Sequence, residues 1–152
     1  MIETQIRESL AENWLPTIYK EKVRSQRTRS YHLEIPVREN RAEIQYTLLG
    51  IELKVGKRRT ACPDLSTARY LRVFARIGCR DFAVPYDISL IPGIADELET
   101  AWQRSLVLVE AEAPGNATAL RSLIKTMRAE IISVGPGDAM PLFDRETKQR
   151  KS

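Results

Sequence analysis

No segment limits the possible folds of this chain as strongly as Glu43–Gly56, EIQYTLLGIELKVG. In one straight strand, its alternating apolar side chains would change faces halfway along. A two-residue turn at Leu49–Gly50 removes this conflict, because both halves then turn their apolar side chains to the same face of an antiparallel hairpin. The predicted cross-strand pairs are Leu48 with Ile51, Tyr46 with Leu53, and Ile44 with Val55. Gly50 supplies the positive φ that such a tight turn requires.

The opposite face of the predicted hairpin is polar. It carries Glu43, Gln45, Thr47, Glu52 and Lys54. Carboxylates on neighbouring strands can hold a divalent cation, because hard cations prefer carboxylate oxygens, and a lysine beside them can orient a water molecule. The same pattern is typical of the solvated side of any half-buried hairpin, where opposite charges contribute about 0.2–1 kcal/mol. The sequence alone does not distinguish a cation site from a solvated hairpin face.

Length and composition predict one soluble domain. The chain has 152 residues, of which 43% are apolar and 29% charged, enough for a self-sufficient core. The first ten residues lack the apolar run of a signal peptide, and no window approaches 18 uninterrupted apolar residues. We therefore expect a cytoplasmic protein without a membrane span. Two cysteines and one histidine are too few for a typical zinc site.

Hydrophobic periodicity predicts an α/β fold of the α+β type. An apolar residue at every fourth position predicts a helix over residues 2–14, and alternation over 32–37 predicts a strand that completes a three-stranded antiparallel meander with the hairpin. A helix over 64–77 and a fourth, buried strand over 82–88 follow. Two helices within 94–134 end the predicted pattern.

We expect residues 1–135 to form this single domain and residues 136–152 to be a loosely attached, basic tail. The predicted helix over 64–77 is apolar around most of its circumference, which predicts that it is packed on more than one side. Its narrow polar stripe consists of Arg69, Arg72 and Arg76.

The net charge of +4 is concentrated in three basic segments. They lie at residues 20–29, at residues 54–59 after the hairpin, and at residues 145–151 in the tail. Such clusters suit a polyanion such as nucleic acid. Solvated loops and a frayed tail would give the same pattern.

The run from Ile51 to Ile88, IELKVGKRRTACPDLSTARYLRVFARIGCRDFAVPYDI, resembles the latter half of the PD-(D/E)xK nuclease core. In that family an E-x-K triplet at the end of the third strand of a meander is followed by a turn, an amphipathic helix and a buried strand. Glu52-Leu53-Lys54 takes the place of the triplet here. The resemblance implies a phosphodiesterase dependent on Mg²⁺ or Mn²⁺ that hydrolyses DNA rather than RNA.

The resemblance also implies roles for individual residues. Glu43 and Glu52 would be metal ligands and Lys54 would position the attacking water, while phosphates would be bound by Lys57, Arg58, Arg59 and Arg69. The chain departs from the family pattern, since the usual first acid is an aspartate after a proline and this chain has Glu43 after Ala42. In the predicted register Glu43 lies opposite Gly56, several ångström further from the cation than is ideal.

Two other functions fit the same sequence. One is a non-enzymatic interaction protein that forms a homodimer or binds a partner protein through the helices of residues 94–134. The other is a catalytically inactive nuclease-like fold that binds nucleic acid through its basic segments. The first predicts a salt-resistant dimer, and the second predicts DNA binding that weakens steeply with salt and does not need metal.

Overall fold

Helices and antiparallel strands make up the computed structural model, which describes residues 2–36 and 41–137. The helices are α1 (Ile2–Leu10), α2 (Leu15–Ile18), α3 (Leu65–Ile77), α4 (Ile91–Glu112) and α5 (Ala117–Val134). The strands are β1 (Thr28–His32), β2 (Ala42–Thr47), β3 (Gly50–Val55), β4 (Arg58–Cys62) and β5 (Asp81–Pro85). The predicted mixed α/β fold with an N-terminal helix, a meander and a C-terminal helix pair is confirmed.

Side-chain caps mark the start of two of the three long helices, α3 and α5. At α3, the Asp64 carboxylate accepts a hydrogen bond from the Thr67 backbone N–H at 2.7 Å. At α5, the Asn116 side chain accepts one from the Ala119 N–H at 3.0 Å. Each cap satisfies a backbone donor that has no partner inside the helix.

The three-stranded antiparallel meander consists of β2, β3 and β4 in that order. The sequence predicted a strand at residues 32–37 as the first strand of the meander, before the hairpin. The structure instead adds β4 after the hairpin, which makes β3 the central strand. Residues 33–36 lie outside any strand, and residues 37–40 are outside the described part of the chain. The chain reverses after Val55, so that Arg58 lies opposite Val55. The turn consists of residues 56 and 57 only, and the two arginines that follow them, Arg58 and Arg59, are the first residues of β4. Only Cys62 of β4 is buried. Because apolar and polar residues do not alternate clearly along β4, the sequence did not predict this strand.

The hairpin turn lies at Leu48–Leu49, two register positions from the prediction, because Thr47 pairs with Gly50. The Thr47 hydroxyl closes the turn by accepting from the Leu49 N–H at 3.1 Å and donating to the Gly50 carbonyl at 3.0 Å. Gly50 follows the turn with a φ of 125°, a backbone conformation that residues other than glycine rarely adopt. A shift by two keeps the side chains of both strands on their predicted faces, while Leu48 moves from its predicted place opposite Ile51 into the turn.

The predicted fourth strand, β5, pairs antiparallel with β1 in a separate two-stranded sheet. Two tyrosine hydroxyls bind the backbone of Ala83 in β5. The Tyr19 hydroxyl accepts from the Ala83 N–H at 2.8 Å and donates to the Gly135 carbonyl at 2.6 Å, while the Tyr70 hydroxyl donates to the Ala83 carbonyl at 2.6 Å. Side chains therefore take the place of a further strand along this edge of β5.

The helix α3 lies between the meander and α4, as its apolar circumference predicted. Leu53 and Val55 of the meander are buried on its meander side. Phe74 of α3 stacks on Phe82 of β5 with ring centroids 4.1 Å apart. The predicted core position of Trp14 is also confirmed, since this side chain is 1% exposed.

Two further predictions concern the ends of the domain and the membrane. Within the described residues, no helix combines the length and the apolar composition that a bilayer span needs. Gly137 lies so close to β5 that a Cβ there would be 2.8 Å from the Ala83 Cβ. Residues 138–152 of the predicted basic tail lie outside the described part of the chain.

Candidate nucleic-acid interface

One face of the meander packs on α3, and we call the opposite, polar face the open face. Its side chains come from all three strands: Glu43 and Gln45 from β2, Glu52 and Lys54 from β3, and Arg59 from β4. The strand register arranges them in two rows. Glu43, Lys54 and Arg59 lie side by side in one row, and Gln45 lies beside Glu52 in the other.

The carboxylate of Glu52 is bound by an arginine. The Nη1 atom of Arg59 donates to Oε1 of Glu52 and to Oε1 of Gln45, both at 3.1 Å. The side chain of Glu52 is 22% exposed, and Arg59 therefore neutralises its charge at short range. The guanidinium thus contacts one of the two oxygens of this carboxylate.

The remaining acid of the open face lies next to the lysine. Glu43 is the cross-strand neighbour of Lys54, and both line a cavity of about 180 Å³ together with Arg41 and Gly56. The predicted register placed Glu43 opposite Gly56, two register positions further along. Within the described residues the Lys54 ammonium has no hydrogen bond or ion pair, so it is available to an anionic ligand.

The two predicted metal ligands are closer together than the sequence suggested. Glu43 and Glu52 are diagonal cross-strand neighbours, a relation that places residues about 7–8 Å apart. Within residues 2–36 and 41–137, however, no group of three or more His, Cys, Asp or Glu side chains could hold a metal ion. With only two carboxylates, one of which binds Arg59, the donor set as arranged does not suit Mg²⁺ or Mn²⁺.

Three of the four predicted phosphate-binding residues lie at the meander. Lys57 lies in the turn between β3 and β4, and Arg58 and Arg59 begin β4. Lys57 is exposed and has no ion-pair partner in the described part of the chain. Arg58 approaches the Glu34 carboxylate at 3.9 Å, a distance typical of a weak surface pair.

The fourth predicted residue, Arg69, belongs to a different contact. Its guanidinium binds the carboxylates of Asp96 and Glu99 on α4, the latter at 2.6 Å. These hydrogen bonds, chiefly the one that Arg69 donates to Glu99 and then the one to Asp96, raise the pKa of Arg69. Arg69 thus joins α3 to α4, and the structure does not bring it together with Lys57, Arg58 and Arg59.

Arg41 and the contact between Glu52 and Arg59 were not predicted from the sequence. A signal for Arg41 exists, because a residue two positions before Glu43 in an extended chain points to the same face. The Glu52–Arg59 pair depends on β4 being a strand, which the weak alternation of its side chains concealed.

The helices proposed for a protein contact, residues 94–134, correspond to most of α4 together with α5. Two large apolar side chains on them are exposed, Val107 at 66% and Ile132 at 62%. A homodimer or a protein partner at this surface stays a prediction.

Comparison with known proteins gives no relative for this chain. No protein-family model matches it, and neither a curated protein nor a solved structure gives a significant match.

Proposed function

We propose that this protein binds nucleic acid, DNA in the first instance, through the open face of the meander and the adjoining β3–β4 turn, without a chemical step. The observation that carries the proposal is the engagement of Glu52 by Arg59 beside a lysine that has no partner among the described residues. An acid that holds an arginine in place supports binding of an anion, whereas a metal-dependent reaction needs the same acid for its cation.

The charge balance of this surface supports a polyanion. Four basic side chains, those of Arg41, Lys54, Lys57 and Arg59, face or flank it, against the two acids Glu43 and Glu52, which gives a net charge of +2. Arg58 lies opposite Val55 and so belongs to the other face. Neighbouring strands lie about 4.8 Å apart, so the cations form a row across the sheet rather than a single point charge.

The proposed contacts are with phosphates and not with bases. The exposed aromatic residue of the meander, Tyr46, belongs to the face opposite the open face and cannot stack on a nucleotide bound there. Binding should therefore be independent of sequence and sensitive to salt. A nucleic-acid ligand is consistent with the cytoplasmic location predicted from the sequence.

The test is fluorescence anisotropy with a labelled DNA duplex, in EDTA, at 50 and 200 mM KCl. If three phosphates are neutralised, affinity falls by about 40-fold over this range. Lys54→Gln should weaken binding at 50 mM and lower the salt dependence by about one phosphate contact, whereas Lys125→Gln on the exposed side of α5 should not. Absence of binding at 50 mM KCl would overturn the proposal.

Replacement of the Glu52 carboxylate separates binding from catalysis. Glu52→Gln removes a negative charge from the open face but keeps a side-chain oxygen that can accept from Arg59, so a binding protein should gain DNA affinity. Glu112→Gln, the same change at an exposed position on α4, is the matched control and should leave the affinity unchanged.

A second candidate is the metal-dependent phosphodiesterase that the sequence resemblance implies. One observation favours it: the register puts Glu43 opposite Lys54 and diagonal to Glu52, closer than the sequence predicted. It requires Glu52 to exchange Arg59 for Mg²⁺ or Mn²⁺.

Nicking of supercoiled plasmid in Mg²⁺ or Mn²⁺ tests this candidate. Activity that is lost in both Glu52→Gln and Lys54→Ala would support it and would replace the proposal of binding alone. Equal nicking by the parent protein and Lys54→Ala would reject it.

A further inference from the structure

Charged pairs join α3 to α4, but the last arginine of α3, Arg76, takes no part in them. Arg69 and Arg72 both bind Glu99, Arg72 at 3.0 Å. Arg76 occupies the next turn of α3, and the α4 residue one turn after Glu99 is the uncharged Gln103. In the described part of the chain Arg76 has neither a hydrogen-bond nor an ion-pair partner.

The surroundings of Arg76 disfavour its positive charge. Its side chain is partly buried, and loss of hydration, followed by the nearby charge of Arg72, lowers its pKa, while the charge of Glu99 offsets only part of this shift. The Nε atom of Arg72 is buried without a hydrogen-bond partner among the described residues. A desolvated cation beside an unsatisfied donor is unfavourable unless an anion completes the site.

Arg76 opens into a groove between α1, α3 and α4, which we call the arginine groove. Its volume is about 680 Å³, within the range of sites for small organic ligands. Its apolar walls are formed by Leu10, Trp102, Val107 and Leu108. The groove therefore presents a positive charge next to an apolar surface.

We propose that the arginine groove binds a small amphiphilic carboxylate, an acid with a medium-length alkyl or aryl chain. The carboxylate pairs with Arg76 and the chain lies against Trp102 and Leu108. Arg72, Glu99 and Arg104 line the same groove, and because Glu99 already pairs with Arg72, the remaining charge of the groove is positive and suits an anionic head group.

The proposal is independent of nucleic-acid binding. The groove lies on the α4 side of α3, and the meander packs on another side of that helix. No residue of the open face lines the groove, within the part of the chain that the structure describes.

Sodium decanoate below its micellar concentration is the probe, with 1-decanol and decyltrimethylammonium as neutral and cationic counterparts. Binding is followed by ligand-observed NMR and by tryptophan fluorescence, since Trp102 lines the groove and Trp14 is buried elsewhere. We expect saturable binding of decanoate at least tenfold tighter than that of decanol, and weaker still for the cation.

Two variants locate the site. Arg76→Gln and Arg76→Met, which keeps the length of an apolar stem, should each weaken decanoate binding at least tenfold and leave decanol binding unchanged. Arg121→Gln, the same loss of charge at an exposed position on α5, should bind as the parent does. Equal affinity for decanoate and decanol, or unchanged binding in both Arg76 variants, would overturn the proposal.

Thermal unfolding without ligand gives the second readout. Because Arg76 is desolvated and unpaired, both variants should melt at the same temperature as the parent protein or higher. A melting temperature lower by several degrees in both would identify Arg76 as a structural residue and would also reject the site.

Discussion

The two sheets of this molecule bury their polar groups to very different extents. In the β1–β5 sheet, the residues Phe82 and Ala83 are fully buried, and tyrosine hydroxyls bind both backbone polar groups of Ala83. In the meander, only one face packs on α3, and the other holds ionised side chains that contact solvent. The first arrangement serves stability, and the second leaves charges available to a ligand.

The polar contacts of the two sheets also differ in charge: they are neutral in the core and ionic on the open face. Burial raises the pKa of Tyr19 to about 12, so its hydroxyl stays protonated and can donate to Gly135 while it accepts from Ala83. On the open face the polar contacts are ionic and lie near water, as in the pair of Glu52 and Arg59. Neutral groups suit a core because a buried charge has a large desolvation cost.

The largest expected effect comes from removing an aromatic ring from each sheet. Phe82→Ala should lower the free energy of unfolding by about 3–5 kcal/mol, because the ring is fully buried and stacks on Phe74. Tyr46→Ala in the meander should change it by no more than about 0.5 kcal/mol, since that ring is 71% exposed. Urea unfolding followed by circular dichroism measures both. Similar losses for the two variants would show that the sheets contribute equally to the core.

The second prediction removes only a hydroxyl. Tyr19→Phe leaves the buried N–H of Ala83 and the carbonyl of Gly135 without their partner, which should cost about 1–3 kcal/mol. Tyr46→Phe is the matched control, because its hydroxyl makes no hydrogen bond among the described residues. The same urea titration applies. A loss below about 0.5 kcal/mol for Tyr19→Phe would mean that water replaces the hydroxyl at this edge of β5.

Sequence patterns predicted the helices better than the strand pairing. The caps at Asp64 and Asn116 are local signals, since each side chain bonds a backbone N–H three residues on. The pairing of β1 with β5 joins residues about 50 positions apart, and no local pattern specifies it. The turn at Leu48–Leu49 was missed because the Thr47 hydroxyl, not only the glycine, closes it.

The candidate site was predictable in its membership but not in its contacts. Alternation along two strands suffices to put Glu43, Glu52 and Lys54 on one face, since a register shift by two preserves the faces. The partner of Glu52 depends on the third strand, which brings Arg59 within reach. Likewise, the unpaired state of Arg76 depends on which α4 residues oppose it, and a single sequence does not contain that information.

The smallest predicted effect concerns the charged pairs at the strand ends of the β1–β5 sheet. His32 lies opposite Asp81, with its Nδ1 atom 2.8 Å from an Asp81 carboxylate oxygen, and its Nε2 atom is 3.4 Å from Glu34. The hydrogen bond with Asp81 is the main cause that raises the pKa of His32 above its ordinary value of 6.5. A raised pKa in the folded state means that the stabilisation is complete below about pH 6.5 and is lost as the pH rises through the folded-state value.

Solvent screens this pair, since the histidine side chain is 56% exposed, so the loss should be below about 1 kcal/mol. Relative to His32→Gln, the parent protein should therefore lose stability in urea unfolding between pH 5.5 and pH 8.5. Because His32 is the chain's single histidine, its ring protons report the folded-state pKa directly in an NMR titration. An NMR pKa at or below 6.5, or a stability difference that grows with pH, would contradict the assignment. Either result would mean that His32 and Asp81 form no stabilising pair at this strand end, and that the β1–β5 sheet is held by its buried side alone.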